Sequence, residues 1–142
     1  MTVQAILAEK GGEVATISAE ARVADAVALL GERRIGALPV LDGESVSGIM
    51  SERDVIYCLK DYGAEVLDWP VSRVMSSPAV TVEPSTPILS ALSLITQRRI
   101  RHLPVVAGGR LIGIVSIGDL VKHRIERIEQ EADAMRAYIQ SA

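Results

Sequence analysis

One seven-residue pattern occurs twice in this chain and limits how the rest can fold. The stretches Gly48-Ile49-Met50-Ser51-Glu52-Arg53-Asp54 and Gly113-Ile114-Val115-Ser116-Ile117-Gly118-Asp119 both read glycine, two apolar residues, serine, two variable residues and aspartate. Surrounding residues recur at the same offset of 65, and 14 of 45 positions are identical between 14–58 and 79–123. Constant spacing without a gap indicates a tandem duplication.

Length and composition limit the class of protein. The 142 residues amount to one ordinary domain, and half that length is marginal alone, so we expect the copies to share a core. A composition of 49% hydrophobic and 23% charged residues is typical of globular proteins. The net charge of −3, without a basic stripe interleaved with aromatics, gives no electrostatic case for nucleic acid.

Targeting and redox features predict a cytoplasmic protein. Cys58 is the single cysteine, which excludes an intrachain disulfide and fits a reducing compartment. Residues 1–7 lack the charged start and apolar run of a secretory signal. Because no apolar run reaches the roughly 18 residues of a membrane helix, we expect no membrane association.

Hydrophobic periodicity predicts the order strand, helix, strand, turn, strand, helix in each copy. Short opening segments precede them at 1–10 and 71–75. The predicted strands are 14–17, 37–41 and 46–50 in the first copy, and 78–82, 103–106 and 111–115 in the second. The resulting divisions are repeat 1 at 1–62, a linker at 63–70, repeat 2 at 71–125 and a helical extension at 126–142.

The last predicted helix carries an apolar seam with alternating steps of four and three residues, which is a heptad spacing. Two interpretations are open: the helix packs on its own domain, or it forms a dimer contact. The seam consists of Val121, Ile125, Ile128, Ala132, Met135 and Ile139.

The duplicated pattern resembles the CBS domain, named after cystathionine beta-synthase, as a tandem pair or Bateman module. The resemblance covers about 3–125 and is carried by Leu38-Pro39-Val40 with 48–54 and by Leu103-Pro104-Val105 with 113–119. It implies an α/β (α+β) fold of two β-α-β-β-α repeats with pseudo-two-fold symmetry, whose two small sheets pack together. It also implies a regulatory role toward an unknown protein, a homodimer, and adenosine ligands: AMP, ADP, ATP, S-adenosylmethionine or NAD.

The same resemblance implies two composite clefts, in which serine and aspartate of one repeat face strands of the other. Aspartate would bind ribose, serine would lie near phosphate, and apolar residues would sandwich adenine. Cleft A is expected to comprise Ile49, Ser51, Asp54, Ala79, Val80, Ile100, Arg101 and His102. Cleft B is expected to comprise Val14, Ala15, Ile35, Gly36, Ala37, Ile114, Ser116 and Asp119.

The serine and aspartate also have a purely structural interpretation. Serine at a helix N-cap with an acid three residues later forms a capping box. The same helix N-terminus can bind an anion. Both interpretations remain open for Ser51 with Asp54 and for Ser116 with Asp119.

The walls opposite these motifs differ. Arg101-His102 stands where the first copy has Gly36-Ala37, so cleft A is expected to prefer phosphorylated nucleotides. Cleft B would take a nucleoside-like ligand, or a nucleotide whose phosphate is bound elsewhere. A solvated surface arginine is the alternative for Arg101. Arg33-Arg34 and Arg98-Arg99, at helix C-termini, either compensate the helix dipole or bind phosphate.

Catalytic and metal motifs do not emerge from the sequence. His102, His123 and Cys58 have no recognisable metal-ligand spacing, and the glycine-containing segments match no phosphate-loop or dinucleotide fingerprint. There is no nucleophile elbow. We therefore expect neither an enzyme nor a required cofactor or metal. The hypothesis competing with a nucleotide sensor is a structural or interaction module whose clefts stay empty.

Overall fold

The computed structural model describes residues 1–141 and has the predicted alternation of short strands and helices. The helices are α1 (Val3–Lys10), α2 (Val23–Arg33), α3 (Glu52–Tyr62), α4 (Ile88–Arg98) and α5 (Ile117–Ser141). The strands are β1 (Ile17–Ser18), β2 (Ala37–Asp42), β3 (Ser45–Ser51), β4 (His102–Ala107) and β5 (Arg110–Ser116). Two 3-10 helices, Gly63–Asp68 and Val71–Arg73, lie between α3 and α4.

Two antiparallel hairpins repeat one another residue by residue. Pro39 lies opposite Ile49 in the β2–β3 pair, and Pro104 lies opposite Ile114 in the β4–β5 pair. Both pairs shift register directly after the equivalent valines, Val40 in the first and Val105 in the second. The shared register and irregularity are what a duplicated sequence produces. The α/β fold with two small sheets is therefore confirmed.

The first strand of each repeat is shorter than predicted. In place of the 14–17 strand, β1 covers Ile17–Ser18 and pairs in parallel with β2. In place of the 78–82 strand, there is a single bridge between Val82 and Val105. The difference between the copies has a local cause: Ala19 donates its N–H to the Leu41 carbonyl, and Pro84, 65 positions later, has no N–H to donate.

The opening segments pack on the opposite repeat. Val3, Ile6 and Leu7 of α1 belong to the apolar core of the second hairpin, together with α4 and Leu120 of α5. Val71 and Val74 belong to the core of the first hairpin. Each opening segment thus completes the other copy's core, which locks the repeats together across the predicted divisions of the chain.

The predicted linker at 63–70 is structured and packed. Val66 in the Gly63–Asp68 helix is fully buried in the first core. The Arg73 guanidinium carbon lies 3.7 Å from the centroid of the Trp69 ring, and the Tyr62 ring is 5.0 Å from the same ring. The chain between the repeats is therefore held by burial and by a cation–π contact.

Helix α5 runs without a break through the predicted extension to Ser141, and Ala142 lies outside the described residues. Leu120 is fully buried, but the seam residues Ile125 and Ile128 are 50% and 47% exposed. Packing on its own domain therefore leaves much of the seam uncovered. Between residues 1 and 141, the structure contains no helix with both the length and the apolar character needed to span a bilayer.

Candidate functional site

Both copies of the seven-residue pattern end a strand and cap the helix that follows. In the first, the Asp54 N–H donates to Ser51 Oγ at 3.2 Å and the Ser51 N–H donates to Asp54 Oδ2 at 2.9 Å. In the second, the same bonds join Asp119 and Ser116 at 3.1 and 2.9 Å. The reciprocal bonds form a capping box at each helix start, and they fix both carboxylates where the repeats meet.

Cleft A brings the first motif against the start of β4. Its wall contains six of the eight predicted residues: Ile49, Ser51, Asp54, Ile100, Arg101 and His102. Ala79 and Val80 do not line it, and Val80 packs against the second core instead. The other lining residues are Gly36, Ala37, Glu52, Arg53, Tyr57, Ser76 and Arg99.

Asp54 is held in cleft A by neutral donors. Its Oδ2 atom accepts hydrogen bonds from the backbone and the hydroxyl of Ser51. Its Oδ1 atom accepts from the Ser76 hydroxyl at 3.0 Å. The carboxylate lies in the first turn of α3, with Arg99 and Arg101 in the same cleft wall. The sequence analysis missed Ser76. This residue lies in the wall of cleft A and directly follows the segment, 71–75, that packs on the first core.

Cleft B contains seven of its eight predicted residues: Val14, Ala15, Ile35, Gly36, Ala37, Ile114 and Ser116. It also contains four charged side chains that the Gly36-Ala37 comparison did not place there, namely Lys10, Glu13, Arg33 and Arg34. Asp119 lines an adjoining cavity rather than this one, and Lys10 lies in both walls. Cationic groups therefore reach cleft B from α1 and from the end of α2.

Lys10 joins α1 to the second motif. Its Nζ atom donates to Asp119 Oδ2 at 2.7 Å and to the Ile114 carbonyl at 3.0 Å. Burial raises the pKa of the Asp119 carboxyl. The hydrogen bond and positive charge of Lys10, together with the hydrogen bonds of Ser116, outweigh burial and leave that pKa lowered. The two aspartates therefore differ: Asp119 faces an ammonium group where Asp54 faces a hydroxyl.

His102 lies between the clefts and contributes to both walls. A Cβ on Gly36 would stand 3.1 Å from His102 Cε1, so glycine allows the ring to sit against the backbone. Burial, followed by the positive charge of Lys10, lowers the pKa of the imidazole against the opposing effect of Glu52 and Asp119. His102 is therefore mainly neutral at pH 7, and it becomes a cationic donor only at a lower pH.

The arginines that end α2 and α4 have an uncommon backbone. Arg34 and Arg99 adopt left-handed φ values of 52° and 54°, where glycine is usual. Arg34 lines cleft B and Arg99 lines cleft A, while Arg33 is a second cleft B residue. Both copies thus place a charged side chain at the cleft in a conformation that favours glycine, which keeps the phosphate-binding interpretation open.

A cluster beside cleft B has the donor types of a metal site. One ligand atom from each of Glu9, His123 and Glu126 lies within 4.8 Å of the others. Lys10 and Lys122 line the same cavity, and their positive charges oppose a cation. We assign no metal to it.

The thiol of Cys58 on α3 is not an activated nucleophile. Burial, followed by the negative charges of Asp54 and Asp61, raises the pKa of this thiol. The group therefore stays protonated at neutral pH.

Comparison with known proteins identifies the repeat. A family model described as the CBS domain matches residues 10–61 and 71–126. The CBS domain-containing protein CBSX3, mitochondrial, of Arabidopsis thaliana is 35% identical over 123 residues. The match covers 83% of this chain and 60% of the plant protein. The chain therefore spans less than two thirds of that relative.

Solved structures share the fold. The CBS-domain protein ATU1752 of Agrobacterium tumefaciens has a TM-score of 0.83 and 35% identity, over 87% of this chain and 99% of that one. The structure of CBSX2 in complex with AMP has a TM-score of 0.72 and 27% identity, over 88% and 96%.

Proposed function

The chain belongs to the CBS-domain family, and we propose that it is a regulatory module that binds an adenine nucleotide in clefts between its repeats. The observation that carries the proposal is the wall of cleft A, where the Asp54 carboxylate shares one cavity with Arg99 and Arg101. A carboxylate can accept both ribose hydroxyls, and guanidinium groups bind phosphate through paired N–H donors. The AMP complex of CBSX2 supports this ligand class.

Within cleft A each group has a distinct role in the proposal. Asp54 accepts the ribose hydroxyls, and Ile49 and Ile100 hold the adenine between apolar surfaces. Arg101, with Arg99 beside it, binds the phosphate. AMP, ADP and ATP are the proposed ligands, and S-adenosylmethionine and NAD are further candidates because they share the adenosine group.

Cleft B is the second proposed nucleotide site. Its cationic groups, Arg33, Arg34 and Lys10, give a phosphate partners that Gly36-Ala37 cannot provide. This favours the nucleotide over the nucleoside as its ligand.

The proposed role is regulation rather than catalysis. No cofactor is required in this account, and the nucleotide acts as a signal. Binding changes a partner's state only if the ligand has different affinities for two conformations of the module. We propose that occupancy alters the relation between the repeats or between subunits, and that an unidentified regulated protein responds. We place this activity in the cytoplasm, away from membranes and nucleic acid.

A homodimer is part of the proposal. The helical surface of one chain leaves large apolar side chains exposed on four of the described helices, including Val27 on α2, Ile56 on α3, Leu89 on α4 and Ile128 on α5. Apolar groups spread over several helices favour a subunit contact, since lone exposed hydrophobic residues are common but groups of them are not.

A thermal-shift screen with AMP, ADP, ATP, S-adenosylmethionine, NAD and GTP as control tests the proposed function. A ligand that binds only the folded state raises the melting temperature in a concentration-dependent way. We expect at least one adenine nucleotide to do so and GTP to do so less. No shift with any adenosine compound would favour the competing role, a structural or interaction module with empty clefts.

A further inference from the structure

Resting on the proposed function, we infer that Lys10 determines which ligands cleft B accepts: anionic adenosine compounds bind readily, and neutral nucleosides bind poorly. The observation is the contact between the Lys10 ammonium and the Asp119 carboxylate, 2.7 Å apart. Lys10 thus occupies the group that a ribose would need. In cleft A the corresponding carboxylate is that of Asp54, and its partner from outside the motif among residues 1–141 is the Ser76 hydroxyl.

The asymmetry originates in the backbone of the opening segments. Ser76 exchanges two backbone hydrogen bonds with Ile49, both 2.9 Å long, and so binds the β3 edge directly. At the equivalent position of the first copy, the Gly11 N–H instead closes α1 by donating to the Leu7 carbonyl at 2.7 Å. The Ile114 carbonyl on β5 then accepts from the Lys10 side chain at 3.0 Å. Lys10 therefore holds both Ile114 and Asp119.

The chemistry of the ligand decides whether Lys10 is displaced. A neutral nucleoside must break the Lys10 contact to reach both carboxylate oxygens, and it offers the ammonium nothing in return. A ligand that carries a phosphate gives Lys10 a new counter-ion, since Lys10 already lies in the wall of cleft B. Asp119, which lies behind Lys10 in the wall of the adjoining cavity, is then released for the ribose. Arg33 and Arg34 in the same wall favour the same anionic ligand.

The expected effect is modest because the contact is partly open to water. The Lys10 and Asp119 side chains are 39% and 28% exposed. Ion pairs of this kind change an affinity by about twofold to fivefold. Removal of Lys10 should therefore strengthen adenosine binding by about that factor, and weaken AMP binding because AMP loses a partner.

The chain itself supplies the matched substitution. Met75 stands 65 positions after Lys10, so Lys10→Met gives the first copy the residue that the second copy has. Asp54→Asn is used as the background, because it weakens ribose binding in cleft A and leaves cleft B as the tighter site measured. Lys122→Met is the control: it removes a nearby lysine whose side chain is 72% exposed and whose contact with Glu126 is 4.0 Å long.

The test is calorimetric titration of adenosine and AMP into four proteins: Asp54→Asn alone, and the same background with Lys10→Met, Lys122→Met or Asp119→Asn. We expect Lys10→Met to reduce the preference for AMP over adenosine about fivefold or more. Lys122→Met should leave the preference unchanged, and Asp119→Asn should weaken the binding of both ligands by about tenfold or more.

An unchanged preference in Lys10→Met would overturn the inference, as would an equal change in Lys122→Met. If wild type binds AMP but the Asp54→Asn background binds nothing, cleft B is not a site; the inference then fails while the proposed function survives. If wild type binds no adenosine compound, the proposed function fails, and the inference fails with it.

Discussion

Gly48 lies so close to Ser76 that a Cβ on residue 48 would stand 2.6 Å from the Ser76 carbonyl oxygen. It would also stand 2.7 Å from Met75 Sδ. The glycine that begins the first motif is therefore required by packing, because it lets the segment after the Val71–Arg73 helix reach the β3 edge. Gly113 has the same role for α1, where the Leu7 Cδ2 atom would be 2.5 Å away.

Alanine at these two glycines should have unequal effects. Gly48→Ala meets backbone, which cannot turn aside, and should lower the free energy of unfolding by about 1–3 kcal/mol. Gly113→Ala meets the end of a flexible leucine and should cost less. Urea unfolding monitored by circular dichroism gives both values.

Gly31→Ala is the control for these variants. Residue 31 lies inside α2 with nothing within 4 Å of a built Cβ, so alanine should be stabilising by about 0.5–1 kcal/mol. If Gly48→Ala and Gly113→Ala lower the free energy of unfolding equally, the distinction between a rigid backbone neighbour at Gly48 and a flexible side-chain neighbour at Gly113 is wrong.

The contact of Lys10 with Asp119 should appear as a coupling energy. Lys10→Met, Asp119→Asn and the double variant form a cycle, and we expect a coupling of about 0.2–1 kcal/mol in the free energy of unfolding. Because the folded pKa of Asp119 is lowered, its stabilising contribution is present above the unfolded value of about 3.9 and is lost as the pH falls through the folded pKa. The contact is wrong if the two single variants lower the free energy of unfolding additively and Asp119→Asn leaves the decline in stability at acid pH unchanged.

His102 should make stability depend on pH near neutrality. Burial, and then the charge of Lys10, lowers the pKa of His102 in the folded protein below its unfolded value of about 6.5. At a pH between these two pKa values the unfolded chain binds more protons than the folded one. The contribution of neutral His102 to the free energy of unfolding is therefore fully present above about pH 6.5 and declines as the pH falls below that value. Chemical denaturation from pH 7.5 to 5.5 should show a shallower decline in His102→Gln than in wild type. Parallel profiles would show that the ring is not held neutral by its surroundings.

The seam of α5 should affect assembly more than folding. Ile128 is 47% exposed in a single chain, so Ile128→Glu should change the free energy of monomer unfolding by less than about 0.5 kcal/mol. If the seam is a subunit contact, the same change should dissociate the proposed dimer in sedimentation experiments. Gln130→Glu introduces the same charge at an exposed position outside the seam and should leave the dimer intact. A monomeric wild type at micromolar concentration would count against the dimer itself.

Hydrophobic periodicity and the internal repeat predict the secondary-structure elements that depend on residues close together in the chain. The two hairpins, α2 and α4 follow from periodicity and from the 65-residue offset, and the capping serines mark the starts of α3 and α5. The shortening of the first strand of repeat 2 depends on one absent N–H, at Pro84. The sequence does not indicate this effect, because the hydrogen bond from Ala19 to Leu41 that Pro84 cannot reproduce joins residues far apart in the chain.

The sequence does not predict which segments pack together when they lie far apart in the chain. The sequence divides the chain into consecutive repeats, but α1 packs on the second core and Val71 on the first. Lys10 consequently meets a carboxylate 109 positions away, and no spacing rule connects the two. The sequence offers Arg33 and Arg34 for phosphate binding but assigns them to no cleft, because their place in cleft B depends on how the repeats face each other.

Calorimetric titration of AMP into wild type and Asp54→Asn tests the central claim most directly. Asparagine keeps the shape and the cap acceptor of the side chain but removes the charge that would receive ribose hydroxyls. Hydrogen bonds to charged groups contribute about 1.5–3 kcal/mol, so the affinity of cleft A should fall by about tenfold or more. The melting temperature should stay close to that of wild type. An Asp54→Asn protein that binds AMP with the affinity and stoichiometry of wild type would contradict the account.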